Sequence, residues 1–446
     1  MSAFDVIIGY NSIKQELLMC CDSMKNIEKY KKLGVKPPRG IMLCGEPGVG
    51  KTLMAECFLK ECRCNTYTIR KNRPKDELIK QILYIFREAK KNAPSVIMLD
   101  DMDKFTDSES DHGCSQEYAA IQAGFEACKN ENVMVIATVN QDFGIPRSLK
   151  RQGRFDRKIE MEFPSGDDAK LILEFFLSKK KVSKDVDLDK LSFLLSGCTC
   201  ASLEMIVNDA GIYAAYEGKD VIEDSDLENA CIRYLTSETC EAEPCTGEKA
   251  KVIAIHEAGH AVVSEFWRPN SVKAVSIKGG SFYGGGTTAT DRQECTLTEN
   301  DVIADISVKL GGKAASSVLL DIVDVGCHTD VRRAYDIADT FVSGICGDGF
   351  DSFDFRHDNN SNYCLDNRDQ HIEELLDEVY DVTLDIIRDN AKLVKVIADK
   401  LVKKNVLTYK ELEQVIDKVG WNSSKRVPQQ MPQPNLHASK SHKRKG

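Results

Sequence analysis

The stretch GIMLCGEPGVGKTLMAECFLK, residues 40–60, decides the fold of the first half of this chain. It opens with a short apolar run of strand length, and residues 52–60 are compatible with a helix. The glycine-rich segment between them brings backbone N–H groups together at a helix N-terminus, an arrangement that binds phosphate. The stretch therefore predicts a strand, a phosphate-binding loop and a helix in that order.

The loop, GEPGVGKT, matches the Walker A pattern throughout, which makes a chance glycine-rich turn the weaker alternative. In this pattern the lysine, Lys51, reaches the β- and γ-phosphates, and the hydroxyl of Thr52 can hold Mg²⁺. The loop residues that we expect to bind nucleotide are Gly45, Glu46, Pro47, Gly48, Val49, Gly50, Lys51 and Thr52.

Two further apolar runs of strand length follow, Ser95–Leu99 and Val133–Val139, and a helical pattern over residues 76–91 precedes them. This alternation predicts a parallel sheet flanked by helices. Asp100 comes directly after the first of these runs, where it would hold Mg²⁺ through water. The next carboxylate, that of Asp101, would polarise the attacking water.

The rest of the chain divides by composition. Apolar residues recur at helical spacing between residues 167 and 236, which predicts a small helical domain. A polar, acidic segment then fits a linker, a second folded unit follows, and the basic end, rich in Pro, Gln and Ser, is typical of disorder. The predicted bounds of these five regions are 1–163, 164–237, 238–248, 249–420 and 421–446.

A second motif, HEAGH, lies at residues 256–260. His256 and His260 are four residues apart, so a helix places both imidazoles on one face with Glu257 beside them. A hydrolytic zinc site uses three protein ligands and a water, whereas a structural site uses four protein ligands. The motif therefore predicts a zinc site whose third protein ligand lies elsewhere in the chain.

The composition is that of an ordinary globular protein. The chain has 446 residues, a formal charge of −10, 29% charged residues and 42% hydrophobic residues, which does not favour nucleic acid as a partner. No apolar run is long enough to cross a bilayer and no secretory signal is evident, so we expect a cytoplasmic protein without a membrane span. The 17 cysteines form no CxxC pair and are expected to be reduced.

Residues 4–163 resemble the AAA+ ATPase module of the FtsH family of ATP-dependent zinc proteases. The matched segments are FDVIIGY from residue 4, KLGVKPPRGIMLCGEPGVGKTLMAE from residue 32, AKKNAPSVIMLDDMDKF from residue 89 and GRFDRKIE from residue 153. The resemblance implies an α/β P-loop ATPase domain with a small helical lid domain. It also implies nucleotide contacts from Ile8 and Gly9.

Three further residues receive roles from the same resemblance. Asn140 would be the sensor that orients the attacking water. Arg154 and Arg157 would be arginine fingers that stabilise charge on the γ-phosphate of a neighbouring subunit. Because such fingers serve the next subunit, the resemblance implies a ring, normally a hexamer. Surface salt bridges are the alternative role for both arginines.

Two positions depart from the family pattern in the ATPase module. Asp101 replaces the usual glutamate, and the shorter side chain withdraws the carboxylate by roughly 1.5 Å, enough to slow or abolish hydrolysis. The segment KNRPKDE, residues 71–77, stands where the family carries an aromatic-glycine pore loop that grips substrate. ATP binding is therefore a firmer expectation than ATP turnover or processive threading.

Residues 249–420 resemble the mainly helical zinc peptidase domain of the same family, through KVIAIHEAGHAVV, VKAVSIKGG, KLGGKAASSVLL and HTDVRRAYDIA. The resemblance implies Zn²⁺ bound by His256, His260 and Asp330, with Glu257 as the general base.

Alternatives stay open around the third ligand. His328 and Asp336 are rival ligands, and capping of the following helix is an alternative role for Asp330. Residues 276–290 resemble the strand edge where an extended peptide pairs with the enzyme, although Phe282 and Tyr283 in this segment could be core aromatics. Ser316 and Ser317 stand where the family usually has acidic residues.

Together these features predict a cytoplasmic, ring-forming, ATP-dependent zinc endopeptidase that acts on proteins or peptides and uses Zn²⁺, ATP and Mg²⁺. One alternative is a zinc peptidase whose ATPase module binds nucleotide mainly for ring assembly. A second alternative is a non-proteolytic remodelling factor with a structural zinc site.

Overall fold

A computed structural model of the chain describes residues 2–106, 115–142, 144–236, 246–278, 287–290, 298–322, 325–345 and 362–419. The chain forms two compact units, Met1–Leu227 and Glu228–Gly446. Most of the predicted linker, the predicted tail, and both Phe282 and Tyr283 lie outside the described residues.

The first unit is built on a parallel sheet of five strands, as the alternating pattern predicted. The spatial order is β2-β3-β4-β1-β5. The strands are β1 (Gly40–Cys44), β2 (Asn65–Ile69), β3 (Ser95–Leu99), β4 (Val133–Val139) and β5 (Arg157–Glu160). Strands β2 and β5 were not predicted from the sequence. They lie at the two edges of the sheet, where most of their side chains are exposed to solvent.

Helices cover both faces of this sheet. In β1 the side chains of Ile41 and Leu43 pack with α1 and α3, and those of Met42 and Cys44 contribute to the core under α4 and α5. The helices are α1 (Asn11–Lys25), α2 (Ile27–Lys32), α3 (Lys51–Cys62), α4 (Lys75–Lys91) and α5 (Gln116–Ala127). Residues 71–77, the segment without an aromatic, are exposed between β2 and the first turn of α4.

Four helices follow the sheet, and their positions agree with the helical spacing in the sequence. They are α6 (Gly166–Ser178), α7 (Leu188–Leu194), α8 (Cys200–Tyr216) and α9 (Asp224–Leu235). Ser165, Asp187 and Thr199 each accept a hydrogen bond from a backbone N–H in the first turn of the helix that they precede. These caps fix where α6, α7 and α8 begin.

The second unit is mainly helical. Its helices are α10 (Gly247–Trp267), α11 (Glu299–Leu320), α12 (His328–Asp339), α13 (Asn362–Asp389), α14 (Ala391–Lys404) and α15 (Tyr409–Val419). A small antiparallel sheet has the order β7-β6-β8, from β6 (Val272–Ser276), β7 (Thr287–Thr290) and β8 (Val406–Thr408). The strand β8 was not predicted, because three residues are too few to show a pattern.

Helix α10 lies at the centre of the second unit. Most residues from Ala254 to Glu265 are buried, and α11 and α14 pack against it. Gly259 of α10 faces Gly311 of α11, and a side chain at Gly259 would come within 2.4 Å of the Gly311 carbonyl oxygen. Within the described ranges, none of the helices is both long enough and apolar enough to cross a membrane.

Candidate functional site

The loop Gly45–Thr52 lies between β1 and the N-terminus of α3, as predicted. Gly48 has φ +88°, a backbone conformation that favours glycine. A Cβ atom at this position would also lie only 2.8 Å from Oγ1 of Thr199, so any larger residue would clash. The Lys51 ammonium donates hydrogen bonds to the carbonyl oxygens of Gly45 and Glu46, at 2.8 and 2.9 Å. Burial lowers the pKa of Lys51 from its ordinary value.

The carboxylate of Asp100 is the centre of a hydrogen-bond network beside this loop. Its Oδ1 accepts from the hydroxyls of Thr52 and Thr138, at 3.0 and 2.9 Å, and its Oδ2 accepts from Nε of Arg70 at 2.8 Å. Adjacent ligands in an octahedral Mg²⁺ site are about 2.9 Å apart. The spacing of Thr52 and Asp100 is therefore compatible with two direct ligands of a magnesium ion, whereas the sequence predicted that Asp100 holds the ion through water.

Asp101 and Asn140 lie near the same loop. Asp101 has φ +53°, its N–H donates to Oγ1 of Thr138, and its carboxylate pairs with Lys104 at 2.7 Å. Asn140 donates to Oδ2 of Asp103 at 3.3 Å and lines a cleft together with Gly45 and Glu46. The structure thus brings the proposed sensor to the phosphate loop.

The N-terminus of α8 also contacts the phosphate loop, which no sequence motif predicted. The N–H of Ala201 donates to the carbonyl oxygen of Gly48 at 3.1 Å, and Sγ of Cys200 lies 3.7 Å from the carbonyl oxygen of Val49. The signal that could have found this contact is Thr199, a helix cap directly before α8.

Ile8 and Gly9 lie just before α1 rather than in the phosphate loop. Gly9 is buried with φ +72°, and a Cβ atom there would come within 2.5 Å of the Asp168 side chain at the start of α6. Ile8 is half-buried. Gly9 therefore lies against the N-terminus of α6.

Arg154 and Arg157 lie near the start of β5, the strand next to β1, whereas the phosphate loop follows the end of β1. Arg157 begins β5 and pairs with Ile41, whereas the loop follows Cys44, about 10 Å further along the strands. Arg154 donates to the carbonyl oxygen of Ser148 at 2.7 Å, and Arg157 forms an ion pair with Glu16. Both guanidinium groups therefore have partners at the end of the sheet away from the phosphate loop.

The metal candidates of the second unit converge. Nε2 of His256 and Nε2 of His260, both on α10, are 3.0 Å apart. Oδ2 of Asp330, on α12, lies 3.4 and 3.5 Å from these two nitrogens. With Zn–ligand distances near 2.0–2.1 Å, ligands of a tetrahedral site are about 3.3 Å apart. The three atoms therefore fit a zinc ion with a fourth position for water.

The rival ligands lie elsewhere. His328 and Asp336 have exposed side chains, and among the described residues only the group of His256, His260 and Asp330 has the spacing of a metal site. Asp330 is in the first turn of α12 but makes no cap there, because the N-cap position belongs to Cys327. Burial alone would raise the pKa of Asp330, but the two histidines outweigh it and hold the pKa below its usual range.

Helix α11 supports the two histidines with features that no motif reveals. Nδ1 of His260 lies 2.6 Å from the carbonyl oxygen of Val308, so Nδ1–H donates there and Nε2 is left to bind a cation. Gly312 faces His256, and a Cβ atom at Gly312 would come within 2.5 Å of the imidazole. Ser316 is buried and Ser317 exposed one turn further along, and neither belongs to the metal group.

Glu257 is buried between the metal group and the edge strand β7. Its Oε2 lies 2.9 Å from Oγ1 of Thr288. Desolvation by burial raises the pKa of Glu257 above its usual range. Thr288 was not singled out in the sequence, because a threonine in a strand gives no functional signal.

Comparisons with known proteins agree with a nucleotide-binding site in the first half of the chain and a metal site in the second half. Residues 41–163 match the family of ATPases associated with various cellular activities (AAA), residues 185–229 match the AAA+ lid domain, and residues 244–415 match peptidase family M41. The ATP-dependent zinc metalloprotease FtsH of Leptotrichia buccalis is 28% identical over 93% of this chain and 57% of its own length. The ATP-dependent zinc metalloprotease FtsH 2 of Sphaerobacter thermophilus is 29% identical over 97% of this chain and 69% of its own length.

A nucleotide-binding AAA domain with its lid, followed in the same chain by an HExxH peptidase unit, defines an AAA-type metallopeptidase architecture. The chain thus carries the AAA, AAA+ lid and M41 peptidase domains and is similar to FtsH proteases over most of its length, in agreement with the resemblance seen in its sequence. Zn²⁺ at the histidine pair and Mg²⁺ with ATP at the phosphate loop are the cofactors that this family implies.

Proposed function

We propose that this protein is an ATP-dependent zinc endopeptidase that acts on protein substrates as a hexameric ring. The observation that carries the proposal is the convergence of His256, His260 and Asp330 beside a buried Glu257. A structural zinc site needs four protein ligands and no general base, whereas this group offers three ligands with a carboxylate at its side. The arrangement therefore disfavours a remodelling factor with structural zinc.

The residues of the site divide the chemistry between them. Zinc, when bound, polarises the scissile carbonyl and acidifies water. Glu257 takes a proton from the attacking water and returns it to the departing amine, and Thr288 holds its carboxylate in position. The strand β7 lies at the edge of the three-stranded sheet, where an extended peptide can add by backbone hydrogen bonds.

A second candidate is favoured by Asp101 and by residues 71–77. The shorter carboxylate and the absence of an aromatic in this segment support a peptidase whose ATPase module binds nucleotide mainly for assembly. In both candidates Arg154 and Arg157 act on the nucleotide of a neighbour, and their place near the start of β5, away from the end of β1 that leads into the loop, supports this role.

The deciding experiment is cleavage of an unfolded model protein by the purified chain with zinc, and with ATP, ADP or no nucleotide. Cleavage that requires ATP supports the coupled protease, and cleavage that is indifferent to nucleotide supports the assembly-only ATPase. Glu257→Gln should lose cleavage while it keeps zinc. No cleavage under any condition would contradict both candidates.

The ligand assignment has its own matched pair of variants on α12. Asp330→Asn should lose zinc, as measured by metal analysis after dialysis, because it removes one of three ligands. Asp336→Asn, an exposed aspartate of the same helix, should keep a full equivalent. Equal zinc content in the two variants would disprove the role of Asp330.

A further inference from the structure

Arg70 connects the nucleotide site to the segment that follows β2. Its Nε donates to Oδ2 of Asp100 at 2.8 Å, and its Nη2 lies 3.7 Å from Oε1 of Glu56 on α3. It is the first residue after β2 and directly precedes the exposed segment 71–77. No motif assigns a function to this arginine.

The two ion pairs of Arg70 differ in strength. The side chain of Asp100 is only 11% exposed and its bond to Arg70 is short, whereas Glu56 is 44% exposed and farther away. A hydrogen-bonded pair with a buried carboxylate is stronger than an exposed pair, which is screened by water. Asp100 is therefore the main partner of Arg70 in this structure.

The same carboxylate is the one that fits Mg²⁺. Thr52 and Thr138 occupy its Oδ1, and Arg70 occupies its Oδ2, so both oxygens are already engaged. A divalent cation at Asp100 and Thr52 would lie within a few ångströms of the guanidinium charge. Like charges at such a distance in a partly buried site repel strongly.

We propose that Arg70 competes with Mg²⁺ for Asp100, so that metal binding with nucleotide releases Arg70 and loosens the segment that follows it. Glu56 is close enough to take over the released guanidinium. Arg70 is thus a positioning residue, which couples occupancy of the metal site to the exposed residues 71–77. The inference rests on nucleotide binding in the proposed function and not on proteolysis.

The test measures metal affinity directly. Mn²⁺ has the same preference for oxygen ligands as Mg²⁺ and is counted by electron paramagnetic resonance. Mn²⁺ is titrated into the full chain with and without saturating ADP, and only the ADP-dependent binding is analysed, which removes binding at the peptidase site. Arg70→Gln should bind Mn²⁺ about tenfold more tightly than the natural chain.

Arg73→Gln is the matched control, because Arg73 is exposed in the same segment and the structure shows no contact between it and Asp100. Its Mn²⁺ affinity should stay within about twofold of the natural value. Equal gains in the two variants would mean that only net charge matters. Weaker binding by Arg70→Gln would mean that Arg70 supports the metal site, and either result overturns the proposal.

A second measurement tests the release of the segment. Hydrogen exchange over residues 70–77 should become faster when Mg²⁺ is added to the ADP-bound natural chain. In Arg70→Gln the exchange over these residues should already be fast before Mg²⁺ is added, and Mg²⁺ should not change its rate. Unchanged exchange in the natural chain would overturn the coupling. ADP binding without metal, measured separately, shows whether the nucleotide site itself is functional.

Discussion

At the residue scale, the short side chain of Asp101 leads to a prediction about ATP hydrolysis. Its carboxylate is shorter than a glutamate and pairs with Lys104 on its exposed side. We expect Asp101→Glu to raise the rate of ATP hydrolysis about tenfold without changing ADP affinity, because it carries the carboxylate further toward the attacking water. A steady-state ATPase assay measures this effect.

Two controls accompany this variant. Asp101→Asn should abolish hydrolysis, because an amide cannot polarise water. Asp101 has φ +53°, a conformation that aspartate tolerates better than glutamate, so a thermal melt must confirm that Asp101→Glu stays folded. If a folded Asp101→Glu variant hydrolyses ATP no faster, another residue limits turnover.

Thr288 belongs to the same scale in the peptidase unit. Its hydroxyl is the hydrogen-bond partner of the Glu257 carboxylate, so Thr288→Val should lower kcat for peptide cleavage about tenfold. Zinc content should not change, because Thr288 is not among the ligands. Thr288→Ser keeps the hydroxyl and should retain most activity. Equal activities of the valine and serine variants would show that the hydroxyl has no role.

At the element scale, the close packing of α11 on α10 shapes the metal site. Gly312 leaves room for the imidazole of His256, and a methyl group there would lie 2.5 Å from it. Gly312→Ala should therefore weaken zinc binding about 10- to 100-fold by displacing one ligand. Competition with a chelator measures the zinc affinity.

The control for this variant is a glycine-to-alanine change without a clash. Gly166 begins α6 and has open space around its Cβ position, so Gly166→Ala should leave zinc affinity unchanged. If Gly312→Ala also keeps its zinc affinity, the two helices separate more easily than their packing suggests.

At the scale of the whole molecule, the ring hypothesis makes a prediction about mixtures. Lys51→Ala removes the phosphate contact of a subunit, and Arg157→Ala removes its finger, so each variant alone should lack ATPase activity. In an equal mixture about a quarter of the interfaces combine an intact loop with an intact finger, so activity should return in part.

The control for the mixing experiment is the partner of Arg157 within its own subunit. Glu16→Gln breaks that ion pair but keeps the guanidinium, and should retain ATPase activity. If Glu16→Gln is as inactive as Arg157→Ala, the arginine acts only through its pair with Glu16. Activity that does not return on mixing argues against fingers that act between subunits.

The phosphate loop, three strands of the parallel sheet and the pair of histidines could be predicted from the sequence. These features depend on residues that are neighbours in the chain, such as Gly45–Thr52 and His256–His260. Local spacing determines their geometry, because a strand repeats every two residues and a helix places residues four apart on one face. The edge strands β2 and β5 could not be predicted, because strands with mostly exposed side chains show no apolar pattern in the sequence.

Only the tertiary structure decided which distant residues complete each site. Three contacts join separate elements. Asp330, rather than His328 or Asp336, lies beside the two histidines. Thr288 contacts Glu257, and Arg70 donates a hydrogen bond to Asp100. Such contacts depend on how helices and strands pack, and packing depends on side-chain volumes across the whole core. A single sequence lists the residues, but it does not show which distant residues come into contact after folding.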